Sequence, residues 1–125
     1  MAIKVIRFDL DGKPLSVSIE FPTRQIVSYT LTLFEAKTNS VVVRETGNNC
    51  NPEDDKYRLP TPTSVNRGRF LQFDATFVDP GAVQGAPCKA VAKVLQGNTE
   101  IGTLEVSGTM SGNSLSGTDF AKLVG

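Results

Sequence analysis

The residues best spaced for chemistry lie near the start of the chain. Asp9 and Asp11 flank a single leucine and lead straight into Gly12. Two carboxylates that close can divide nucleophilic and acid/base work, or share a divalent cation. A second oxygen-rich stretch runs from Asn48 to Asp55. There Asn49, Asn51, Glu53, Asp54 and Asp55 are candidate ligands for calcium, which takes roughly six to eight oxygens, often from loops. The stretch lacks the alternating ligand spacing of a dedicated calcium loop. A third group is cationic: Lys56, Arg58, Arg67 and Arg69, with Tyr57 among them, offer a contact to an acidic partner or to carbohydrate sulfates.

What is missing narrows the chemistry further. The chain has no histidine, which removes the commonest general base, the Ser-His and Cys-His pairs and most zinc sites. No glycine-rich loop follows a strand and opens a helix to cradle phosphate. Trp is absent and there are two tyrosines. Tyr29 falls on the apolar side of its run, which leaves Tyr57 as the exposed aromatic for a sugar.

The totals bound the rest. At 125 residues the chain has the size of a single domain. Thirteen basic side chains balance thirteen acidic ones, against the basic face that nucleic acid or an anionic membrane surface selects. No apolar run approaches the roughly 20 residues of a membrane helix. No secretory leader is legible at the start, so the reading is an intracellular protein or a mature secreted domain. Cys50 and Cys88 are too few for a zinc site or a disulfide framework. Paired, they would close a long loop worth about 3–4 kcal/mol in the chain-entropy model. Unpaired, Cys88 is a small core residue.

Phe8-Asp9-Leu10-Asp11-Gly12 resembles the first motif of haloacid-dehalogenase-type phosphatases. That resemblance implies Asp9 as nucleophile toward a phosphoryl group, Asp11 as acid/base, and magnesium. It covers five residues, and Lys13 stands where the family carries Thr or Val. The family also needs a parallel sheet with crossover helices, which takes long connections.

The elements argue otherwise. Leu15, Val17, Ile19 and Phe21 alternate with polar residues, and so do Val27, Tyr29, Leu31 and Leu33. Alternation with period two gives a strand one apolar face and one wet face. Val41–Val43 is a β-branched run, Phe70–Val78 and Cys88–Gln96 continue the strand pattern, and Gly97-Asn98 turns the chain into Thr99–Gly108 as a hairpin partner. Seven to nine short strands and no substantial helix predict an all-β, antiparallel β-sandwich of immunoglobulin-like kind. In that setting Asp9–Gly12 is a turn, with Gly for positive φ. Residues 107–125, rich in Gly, Ser and Thr, read as a loosely packed terminal hairpin or tail.

The expected function is a non-enzymatic module that presents loops or a sheet edge to a protein partner, with no cofactor. Loops Asn48–Arg69 and Asp79–Pro87 are the expected contact sites, brought to one end if Cys50 and Cys88 pair. The alternatives are a calcium- or carbohydrate-binding module, and a structural subunit that self-associates through sheet edges.

Overall fold

A computed structural model describes residues 3–23, 25–50, 55–79 and 85–125. They form nine strands: β1 (Lys4–Arg7), β2 (Leu15–Glu20), β3 (Ile26–Phe34), β4 (Val41–Asn48), β5 (Lys56–Arg58), β6 (Phe70–Val78), β7 (Pro87–Gln96), β8 (Thr99–Thr109) and β9 (Ser114–Val124). Thr63–Asn66 is one 3-10 turn, and there is no α-helix among the described residues. The all-β expectation therefore holds.

Two sheets carry these strands. One has the order β1-β9-β6-β3-β4, the other β5-β2-β7-β8. All pairings are antiparallel except β1 with β9, which run parallel from Lys4 opposite Ala121 to Arg7 opposite Val124. The alternating runs turn one side inward from each sheet. Leu15, Val17 and Val94 from the four-stranded sheet meet Leu33, Leu71, Phe73, Phe77 and Leu123 from the five-stranded one in a single core. Strand β7 lines this core with the small side chains Cys88, Ala90 and Ala92, as its sequence led one to expect.

The end of the chain differs from expectation. Instead of a loose hairpin with β8, β9 inserts between β1 and β6, and Ala121 and Leu123 are fully buried. Its Gly/Ser/Thr-rich first half pairs in register with β6, and its last four residues pair with β1 as well, so composition says little about order. Strand β8 pairs with β7 in the other sheet. The two sheets are tied where β8 crosses β9. Asp119 Oδ2 accepts the Glu105 N–H at 2.9 Å and lies 2.6 Å from Lys4 Nζ.

The later part of the central loop packs onto the scaffold. Asn66 is fully buried and donates to the carbonyls of Pro60 (2.9 Å) and Thr63 (3.3 Å). Thr63 Oγ1 donates to the carbonyls of Gly12 and Lys13, both at 3.2 Å. Leu59–Arg69 is thus part of the scaffold, pinned onto the turn between β1 and β2. In the other expected contact loop, residues 80–84 lie outside the described residues.

Candidate functional site

The Asp9/Asp11 pair is built as a turn. Asp9 Oδ1 accepts the Asp11 N–H at 3.1 Å, and the Asp9 carbonyl accepts the Gly12 N–H at 3.1 Å. Gln96, from the end of β7, clamps the turn. Its Oε1 accepts the Asp9 N–H at 2.9 Å, and its Nε2 donates to the carbonyls of Asp9 (2.8 Å) and Lys13 (3.0 Å). Gly12 does not have positive φ, contrary to expectation. It is needed for space, because a Cβ there would stand 2.5 Å from Gln96 Nε2. The parallel sheet with crossover helices that the phosphatase motif requires is absent among the described residues.

The acidic loop is part scaffold. Asn51, Glu53 and Asp54 lie outside the described residues. Asn49 uses its amide on β3, accepting the Val27 N–H at 3.0 Å and donating to the Gln25 carbonyl at 2.7 Å. No group of three or more His, Cys, Asp or Glu side chains is placed to hold a metal among the described residues.

Of the two readings of the cysteines, the structure has the unpaired one. Cys50 and Cys88 are free thiols, the first exposed and the second fully buried on β7 with its Sγ 3.6 Å from the Gly108 carbonyl. Burial pushes the Cys88 thiol up from its ordinary value.

The basic cluster divides. Arg69 is committed to Glu35, with Nε to Oε1 at 2.6 Å, and Arg67 is exposed beyond the 3-10 turn. Tyr57 is not an exposed platform. Strand alternation turns it inward, and its hydroxyl lies 2.5 Å from that of Tyr29. Gly47 makes room for that contact, since a Cβ there would come 2.5 Å from the Tyr29 hydroxyl. Burial first, then the Tyr57 hydroxyl, push the Tyr29 phenol far above its ordinary value. Lys56 and Arg58 remain exposed, and the fold brings Lys13 to them. The three cations line one groove of about 530 Å³ with Ser16 and Asn98.

The feature that sequence reasoning missed lies on the outer face of the five-stranded sheet. The strand registers stack this face into rows. Across one end run Val5, Lys122, Phe70, Phe34 and Val41, one from each strand in turn. The next row is Phe120, Gln72, Thr32 and Arg44, followed by Thr118, Asp74, Thr30 and Thr46. Phe34, Phe70 and Phe120 are each half-buried on the side that alternation reserves for solvent. With Asn39 and Gln72 they line a groove of about 310 Å³. Lys122 Nζ stands 5.9 Å over the Phe70 ring. Thr32 is 2 % exposed although it faces outward, so the side chains around it already shield this face. Beyond the groove the face turns polar. Gln72 Nε2 donates to both Asp74 oxygens, at 3.1 and 2.9 Å, and Thr118 Oγ1 donates to Oδ1. Ser28, Thr30, Thr46, Asn48 and Thr76 complete a shallow hydroxyl-lined hollow around Asp74.

The signal for the aromatic groove was in the sequence. Leu33-Phe34, Phe70-Leu71 and Phe120-Ala121 each put two apolar residues side by side in a strand. One member of such a pair must face outward. A comparison with protein-family models, with curated proteins and with solved structures returned no match.

Proposed function

We propose that this chain is a binding module whose contact surface is the outer face of the five-stranded sheet, and that its occupant is an extended segment of a partner protein. The observation that supports this is the Phe34–Phe70–Phe120 groove, apolar in its floor and bounded by cations on both sides. Lys122 lies on the β9 side and Arg44 on the β4 side, and neither is in a salt bridge among the described residues. Three strand spacings of about 4.8 Å and a register offset of two residues, about 7 Å, set the Lys122 and Arg44 Cα atoms about 16 Å apart, a span that their long side chains can shorten. In an extended peptide, residues i and i+4 share a face and stand about 13 Å apart. The matching segment is therefore acidic–x–aromatic–x–acidic, its central ring in the groove and its carboxylates toward Lys122 and Arg44.

The scaffold reading that goes with this is an immunoglobulin-like sandwich variant. The parallel β1–β9 pair and the β9-β6-β3-β4 order support it. The β7–β8 hairpin, which lies in the other sheet between β6 and β9 in the chain, departs from it.

Fluorescence anisotropy with labelled Glu-x-Phe-x-Glu, Lys-x-Phe-x-Lys and Glu-x-Ser-x-Glu peptides tests the proposal. Expected is a clear preference for the first, lost in Phe120→Ala and reduced in Lys122→Glu. Binding unchanged in Phe120→Ala, or no binding of any peptide, overturns it. The carbohydrate reading would move to the neighbouring hydroxyl hollow, and neutral oligosaccharides in the same assay test that.

A further inference from the structure

The four-stranded sheet has a charge asymmetry of its own. Its registers set Lys56 of β5 beside Ser18 of β2, and Ser18 beside Lys93 of β7. Lys93 is neutralised twice, with Nζ 3.0 Å from Glu20 and 3.9 Å from Glu100. Hydrogen bonding to Glu20 raises its ammonium above the ordinary lysine value. Lys13, Lys56 and Arg58 have no such partner: none forms a salt bridge among the described residues. Yet these three converge on one concavity, walled by Pro14 and Gly97 and lined also by Ser16 and Asn98.

This is not a scatter of surface charge. Lys56 and Arg58 are two residues apart on one face of β5, so their Cα atoms stand about 6.5 Å apart. Lys13 joins them from the turn before β2. Like charges set together work against the compact state. In a chain whose charges balance overall, acids were available to relieve them. The three acids on this sheet that pair with a lysine are committed elsewhere, Glu20 and Glu100 to Lys93 and Glu105 to Lys89. An uncompensated cationic hollow is what an anion would complete.

We infer that this groove binds a multiply charged oxyanion, a phosphate or sulfate group. The Arg58 guanidinium offers planar paired donors suited to such a group. Lys13 and Lys56 add point charges, and Ser16 and Asn98 offer a hydroxyl and an amide. The site lies on the opposite sheet from the aromatic groove and does not depend on it.

The test is an amide NMR titration of the full chain at constant ionic strength, with inorganic phosphate, sulfate, a phosphate monoester and a sulfated disaccharide. Acetate is the monovalent control. Saturable shifts confined to residues 13–16, 56–58 and 97–98 are expected with the divalent oxyanions and not with acetate. Tighter binding of the sulfated disaccharide identifies a glycan sulfate as the source, and tighter binding of the monoester identifies a phosphorylated one. Neutralising Lys56 or Lys13 should weaken binding by about two- to fivefold each. Lys56→Glu with Arg58→Glu should abolish it. No saturable shift, equal shifts with acetate, or shifts that persist in the double variant overturn the inference. Anion-free melting gives a second reading. Lys56→Gln should hold or raise Tm because it relieves repulsion, and a clear fall would mean that the three charges are already compensated.

Discussion

Strand β6 shows phenylalanine to both sides of one sheet, and the two sides use it differently. Phe73 and Phe77 point inward and have no exposed surface. Phe70 points outward, half-buried beneath Lys122 and beside Phe34 and Phe120. Inside, ring contacts close on all sides, so the apolar area already contributes to folding. Outside, part of the ring area still meets water, so burying it would yield further apolar free energy. The same residue type therefore stabilises the fold on one face and, in the proposed function, would supply affinity on the other.

The largest effect should come from the inner face. Phe73→Ala leaves a cavity and should cost about 3–5 kcal/mol, read as a lower urea midpoint with an unchanged slope. A loss below about 1 kcal/mol would erase the distinction between the faces. The inward acid Asp119 should come next. Asp119→Ala removes the acceptor of the Glu105 N–H and the partner of Lys4, and should cost about 1–2 kcal/mol by the same assay. On the outer face, Phe120→Ala should cost about 1 kcal/mol or less while abolishing peptide binding. A stability loss as large as that of Phe73→Ala would make the aromatic groove a second core. Smallest of all is calcium. Because no cluster of three or more acidic, Cys or His side chains gathers among the described residues, millimolar calcium should leave Tm unchanged. A rise would move the binding surface from the sheet face to the acidic loop.

Local alternation made most strands legible. Leu15–Ile19, Val27–Leu33 and Leu71–Phe77 are inward sets in the structure as in the sequence. Which strands become neighbours was not legible, because a period of two says nothing about partners. Strand β9 could have closed a hairpin with β8. It lies instead beside β6, where nine residues pair in register from Phe70–Lys122 to Val78–Ser114. The two grooves were hidden for the same reason. Lys13 is remote in the chain from Lys56 and Arg58, and Phe34, Phe70 and Phe120 come from three strands that only the sheet order joins. Arg69, Tyr57 and Asn49 looked available because their partners Glu35, Tyr29 and Val27 are likewise distant in sequence.

The hydroxyl pair of Tyr29 and Tyr57 makes the molecule its own optical probe. With no tryptophan and two tyrosines, every phenol in the chain sits in one contact, between β3 and β5. Ultraviolet absorbance and emission near the tyrosine band thus report on a single spot that joins the two sheets. The Tyr29 phenol holds its proton more tightly folded than unfolded, so stability is full below the ordinary tyrosine value of about 10 and falls as pH climbs above it. In an alkaline titration, the phenolate band of Tyr29 should therefore emerge together with loss of the folded far-ultraviolet signal. A phenolate band that completes while the strands persist would mean that the two sheets part at this spot first.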